Sequence, residues 1–208
     1  MKKKISAEII ATIIVAALAL AVAIFAIVTL AGGKNPDENN NSNNSDYVPS
    51  EELLDEMKTA ATELVQNNYA VFKLFYTKGL PKLPEPYGNE PDDGSYTVDS
   101  DEYKTYSDIE NFVKKVFIEE EARRILANAQ GDNVAVYVDE KGALGISVDF
   151  KAMEYTNSWE QVNFKVEAVS DTVGKMTVTI HDADGKELVK EAEMQKHDGK
   201  WQLAAIIY

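Results

Sequence analysis

From residue 51 onward the apolar positions of this chain follow a helical period. Leu53, Met57, Ala61, Leu64, Asn68, Phe72 and Phe75 keep three- and four-residue spacing to about Lys78, which marks one buried helix face. Ser50 stands at the N-cap position, Glu51 and Glu52 occupy the first turn, and Gly79 and Pro81 end the pattern. A second helix is expected from a capping box at Ser107-x-x-Glu110, with Ile109, Phe112, Val113, Val116 and Phe117 on its inner face. Ala122, Ile125, Leu126 and Ala129 continue as a third helix or as a bend of the second.

After Gly131 the period becomes two. Val134, Val136 and Val138 form one stripe, and Leu144, Ile146, Val148 and Phe150 the next. Val162, Phe164, Val166 and Ala168 follow, then Met176, Val178 and Ile180. Leu188, Ala192 and Met194 mark a fifth strand, and Trp201, Leu203, Ala205 and Ile207 a sixth. Short connections at Asp139-Glu140-Lys141-Gly142, Asp171 to Gly174, Asp184-Gly185 and Asp198-Gly199 read as hairpin turns. The pattern predicts one antiparallel sheet with a single buried face, covered by N-terminal helices, and so an α+β domain over 51–208.

The first fifty residues follow other rules. Ile9 to Ala31 is a run of 23 residues without a charge, preceded by Lys2, Lys3 and Lys4. About 20 apolar residues span a bilayer, whereas the apolar part of a secretion signal is ~7–15. The run therefore reads as a transmembrane anchor over 9–31, with a signal cleaved after Thr29-Leu30-Ala31 as the alternative. The lysines of the basic tail, 1–8, stay in the cytoplasm by the positive-inside rule. The rest then lies on the outer face of a cytoplasmic membrane, as expected of a bacterial cell-surface protein. Residues 32–50, rich in Asn and Ser, form a flexible tether.

Composition narrows the function. The chain carries a net charge of −14. Setting aside the first eight residues, with three Lys and one Glu, leaves 18 basic against 34 acidic residues, a net of −16. Phosphate binding needs clustered Lys and Arg, so nucleic acid is not an expected partner. Basic proteins are. The chain has no cysteine, which excludes disulfides and thiolate chemistry.

The long first helix, the capped helical pair and the late strand meander ending in "DGKWQLAAIIY" resemble the nuclear transport factor 2-like superfamily, a cone-shaped α+β fold of helices packed on a curved antiparallel sheet. The stretch "YTVDSDEYKTYSDIENFVKKVFIEEEARRIL" ahead of a strand block is similar to secreted inhibitors of cell-wall DL-endopeptidases in Gram-positive bacteria. The first resemblance implies looking for a carboxylate or a His–Asp pair inside the cone. Strand alternation turns His181 and Asp149 to the polar face, and His197 falls in a turn. Lys190 alone shares a register with a buried stripe, near a strand edge where it can snorkel. No strand presents an inward acid or base of the sort general acid–base catalysis requires.

One stretch stays open to several readings. Residues 82–106 read as a connection, and between Glu90 and Glu102 they hold six acidic residues and no basic one. Asp92, Asp93, Asp99, Asp101 and Glu102 are hard oxygen ligands suited to calcium, yet the EF-hand spacing fails, with Lys104 where glycine belongs. Tyr87, Tyr96, Tyr103 and Tyr106 are spread among the acids. Tyrosine favours interfaces, and it also pins long connections by folding back onto a domain. Tyr87, Asp92, Asp93, Tyr96, Asp99, Asp101 and Tyr103 are therefore the candidate partner-binding residues, with no catalytic, cofactor or metal residue expected. The expected function is non-catalytic protein binding at the cell envelope, with inhibition of a basic-surfaced cell-wall hydrolase as its specific form. The alternatives are a small-ligand binder or enzyme using the cone interior, and a passive envelope or assembly subunit.

Protein extracted from membranes should retain its N-terminus. Intact-mass measurement checks this, and a mature chain starting near Gly32 would identify the apolar run as a cleaved signal.

Overall fold

The computed structural model describes residues 47–83, 94–131 and 134–208, all within a compact unit spanning 45–208. The expected anchor, most of the tether, Tyr87, Asp92 and Asp93 lie outside the described residues. Among those described, no helix is long and apolar enough to cross a membrane.

Helix α1 (Glu51–Phe72) begins as its sequence predicts, with the Ser50 hydroxyl accepting from Leu53 N at 3.1 Å. It runs straight into a π-helical turn, Lys73–Thr77. Lys78 N donates to Lys73 O at 2.9 Å, a five-residue step that frees carbonyls an ordinary helix would use. Tyr137 Oη donates to Leu74 O at 3.0 Å, and Met153 N to Tyr76 O at 2.7 Å. Gly79 then turns the chain at φ 63°, and a Cβ there would meet Ile146 Cδ1 at 2.6 Å. Both facts require glycine at this position.

Helix α2 (Tyr106–Val116) starts two residues earlier than the sequence suggests. Its capping box is Thr105–Asp108 rather than Ser107–Glu110. The Asp108 carboxylate accepts from Thr105 N at 2.8 Å and Lys104 N at 2.9 Å, which holds its pKa below the usual carboxylate value. Glu110 instead pairs with Lys114 one turn on, at 2.9 Å. α2 ends because Phe117 adopts extended backbone and bridges to Leu203, with Ile118 N donating to Leu203 O at 3.0 Å. Glu119–Asn128 is therefore a separate helix, α3, and not a bend.

The strands are antiparallel, but they divide into two sheets where the periodicity suggests one. β1 (Ser95–Thr97), β2 (Tyr137–Glu140) and β3 (Ala143–Ser147) form a three-stranded sheet in the order β1-β3-β2. β4 (Ser158–Ala168), β5 (Val173–His181), β6 (Glu187–His197) and β7 (Lys200–Leu203) form a four-stranded sheet in chain order. The ladder breaks after Ser147, where Phe150 N turns back to Ser147 O and Met153 N leaves for the π turn. Val148 and Phe150, expected to extend β3, are only half-buried. β1 lies inside the stretch read as a connection; its Tyr96 pairs with Ile146. The β2 stripe also differs, since Val136 and Tyr137 are the buried positions and Val138 is half-buried. Lys141-Gly142 and Asp198-Gly199 make two-residue hairpin turns, all four residues having positive φ, the geometry that suits the twist of antiparallel pairs.

The whole is an α+β unit with its helices over a curled antiparallel sheet. Met176, Val178, Ile180, Met194 and Leu203 of the larger sheet join Met57, Ala61, Phe72 and Phe75 of α1 and its π turn, and Ile109, Val113 and Ile125 of α2 and α3, in one core. After β7 the chain leaves the sheet, so Ala205 is exposed where strand alternation would bury it, while Ile207 is buried. Asn68, fully buried on α1, holds this last segment: its Nδ2 donates to Ile207 O at 2.8 Å and its Oδ1 accepts from Ile207 N at 2.9 Å.

Leu203→Ala should cost about 2–5 kcal/mol as a buried cavity mutant. Asn68→Ala should cost about 1–3 kcal/mol by orphaning two buried backbone groups. Denaturant melts followed by the fluorescence of Trp159 and Trp201 check both, and a loss well below 1 kcal/mol in either would contradict the assigned packing.

Candidate functional site

Of the candidate partner-binding residues the structure describes Tyr96, Asp99, Asp101 and Tyr103. Tyr103 is 9% exposed and packs on Phe112 at 5.7 Å between ring centroids, so its ring belongs to the core and offers no free contact area. Tyr96 is half-buried in β1, with Lys82 Nζ 3.7 Å from its ring centroid. The tyrosines thus pin the segment to the domain, which gives physical content to the folding-back reading. Asp99 and Asp101 are exposed, and Asp101 pairs with Lys104 at 3.0 Å. Among the described residues, no group of three or more His, Asp or Glu is placed to hold a metal ion. His197, expected in a turn, is instead the last residue of β6, paired with Lys200; it is exposed and shares a 3.0 Å hydrogen bond with Gln195. Asp149 is exposed, and Lys190 sits half-buried opposite Val178.

A different set of residues forms a cleft at the C-terminal end of α1. The π turn aims Tyr76 toward the last residue of the chain, and the Asn68 hold on Ile207 delivers Tyr208 beside it. The Tyr208 ring stacks on Phe72 at 5.3 Å and 6°, and lies 5.8 Å from Tyr76. Tyr155 meets the same Phe72 edge-on at 4.6 Å. Tyr76, Tyr208, Met153, Lys151 and Gln130 line a cleft of about 450 Å³. Two of its walls stay open to solvent, Tyr208 at 46% and Met153 at 41% exposure. Gln130 Nε2 donates to Lys151 O at 2.6 Å, tying the cleft's rim to the end of α3.

Behind the cleft lies a charged relay. Arg124 donates to Glu121 twice, at 2.7 and 2.8 Å, and to the Tyr76 hydroxyl at 3.2 Å. Glu121 Oε1 also accepts from Ile206 N at 2.9 Å. The relay fixes the Tyr76 ring and the C-terminal segment together. Burial raises the Tyr76 pKa despite the opposing Arg124 hydrogen bond, so the phenol stays neutral and the wall is an apolar ring with one occupied hydroxyl.

The sequence pattern points to part of this. Asn68 falls on the inward stripe of α1, and a polar residue in such a stripe signals a buried hydrogen-bonding task. Met153 and Tyr155 lie in an aperiodic stretch and carry no such signal, and Glu121 is masked by the acidic run Glu119-Glu120-Glu121. The sequence matches no protein-family model and no curated protein.

Burial raises the pKa of Tyr76, Tyr103 and Tyr137. In the unfolded chain these phenols ionise near pH 10. The folded state keeps their protons to higher pH, so the stability they confer is full below pH 10 and is lost as pH rises above it. Denaturant midpoints should hold to about pH 9 and fall beyond pH 10, with tyrosinate absorbance rising together with unfolding. A midpoint unchanged to pH 12 would contradict the burial of these rings.

Proposed function

We propose that the protein is a membrane-anchored, cell-surface recognition module that binds another extracytoplasmic protein and performs no chemistry of its own. The observation that most supports this is how its buried polar side chains are used. Asn68 and Glu121 hold the backbone of Ile207 and Ile206. The Ser147 hydroxyl accepts from Asp149 N at 3.1 Å. General acid–base work needs a free group facing substrate, and these groups serve the fold's own chain. What the domain has to offer lies on its surface: strong negative charge and the half-open aromatic cleft.

The nuclear transport factor 2-like cone is the finer fold reading, and helices over a curled sheet are compatible with it. In this reading the run 9–31 holds the domain at the membrane and the tether lets it reach outward. The partner is basic, since acidic charge speeds encounter with a basic surface. A cell-wall DL-endopeptidase is the partner class implied by the resemblance of residues 96–126. A small-ligand reading has one observation in its favour: a cleft of about 450 Å³ falls in the range of small-molecule sites, roughly 300–1,000 Å³.

Immobilised full-length chain should retain a basic protein from envelope extract, with retention falling as salt rises. The double change Met153→Ala and Tyr208→Ala should weaken that retention. A cleft that takes up a small molecule, found by mass spectrometry of the purified chain, with no protein retained at any salt, would replace protein recognition with the second reading.

A further inference from the structure

The larger sheet has two stretches of edge to which no described residue pairs, the outer side of β4 and the part of β6 that β7 does not reach. β6 has eleven residues and β7 four. β7 pairs only with Met194–His197, and Ala204 N reaches Glu193 O at 2.9 Å before the chain turns away. The His197–Lys200 pair closes the hairpin, so odd-numbered residues of β6 direct their backbone groups to the β7 side. Even-numbered ones bond to β5. Beyond Glu193, then, the N–H and C=O groups of Glu187, Val189 and Glu191 face outward along a free edge. Leu83 N donates to Thr97 O at 2.9 Å and covers β1, and Ile118 N does the same for β7. The outer edge of β4 is broken between Ser158 and Asn163, and beyond the break it sets the exposed Lys165 beside the exposed Glu167, so it carries no single sign of charge.

The side chains along this stretch are specific. Glu187, Val189 and Glu191 stand on the outer face, and Val189 is 61% exposed. Leu188, Lys190 and Ala192 stand half-buried on the inner face. Pairing with a second copy is disfavoured by charge. Two-fold registers centred on Leu188, Val189 or Lys190 set Lys186 against Lys190, Glu187 against Glu191, or Lys190 against itself, and directly opposed like charges are destabilising. A strand with the opposite pattern meets complementary charge at Glu187, Lys190 and Glu191.

We propose that Glu187–Ala192 is a docking edge that takes an extended segment of a basic protein as an added antiparallel strand. The segment places Lys or Arg opposite Glu187 and Glu191, an apolar side chain opposite Val189, and an acid opposite Lys190. This inference rests on the protein-recognition reading and names the surface and the partner's local chemistry. Main-chain hydrogen bonds supply the register, and the two glutamates select for basic charge.

The test uses the full chain and a cyclised hairpin peptide whose outer strand reads Leu-Lys-Glu-Val-Leu-Lys, with affinity read by fluorescence anisotropy. The peptide should bind at least tenfold more tightly than its charge-swapped counterpart, Leu-Glu-Lys-Val-Leu-Glu. Glu187→Lys with Glu191→Lys should reverse that order. Val189→Pro, which removes an outward donor, should weaken binding at least tenfold with the thermal melt unchanged; should it unfold the domain, the double lysine variant decides. Equal binding of the two peptides, or an order that the lysine variant leaves unchanged, overturns the proposal. So does sedimentation showing a dimer that Val189→Pro dissociates. An envelope protein retained equally by parent and edge variants overturns the docking edge and leaves protein recognition standing. Retention of nothing by the parent removes the recognition reading itself.

Discussion

The fold depends on a single buried amide. Once the chain leaves β7 it must pass between α1 and α3, away from any ladder, and its backbone groups there still need partners. Asn68 meets both needs of Ile207, and Glu121 takes the Ile206 N–H. Ile207 can then be buried, and Tyr208 is carried onto the Phe72 ring. An apolar residue at position 68 would pack as well on the helix face but would leave the C-terminal segment with two unmet groups in an apolar setting. A side-chain amide, with both an acceptor and donors, matches the N–H and C=O of a single residue.

The π turn does for the front of the domain what Asn68 does for the back. By stepping its hydrogen bond from Lys78 back to Lys73, it frees Leu74 O for the Tyr137 hydroxyl, and its end leaves Tyr76 O for Met153 N. One helix end thus fastens both the three-stranded sheet and the irregular crossing to β4. The aromatic cleft lies where these two devices meet, with Tyr76 set by one and Tyr208 by the other. Its walls are rings already stacked on neighbours, which lose little freedom when something is laid against them.

In the proposed reading, charge decides how these surfaces meet a partner. The chain is acidic, and the stretch of β6 that no described residue covers repeats that bias with glutamates on either side of an exposed valine. The same acids that discourage two copies from pairing edge to edge favour a basic strand. Such placement of charge on sheet edges is how proteins choose what may add to them.

Local pattern was enough for much of this. The Ser50 cap, the inward stripe of α1 with Asn68 in it, the phases of β4 and β5, and the Asp-Gly turn before β7 are properties of neighbouring residues, whose spacing reports them directly. Thr105–Asp108 and Ser107–Glu110 are both chemically sound capping boxes, and the first forms because Asp108 accepts from the Thr105 and Lys104 N–H groups while Glu110 pairs with Lys114. β1 was hidden because three residues among acids and prolines have no period to read, and only pairing with Ile146 makes them a strand. The burial of Tyr103 is equally invisible without that pairing. Spacing along the chain thus marks the helix stripes and the turns. Which distant backbone groups those turns bring within reach is a property of the closed fold, because a hydrogen bond from Asn68 to Ile207, or from Tyr137 to Leu74, exists only once the intervening chain has closed around it.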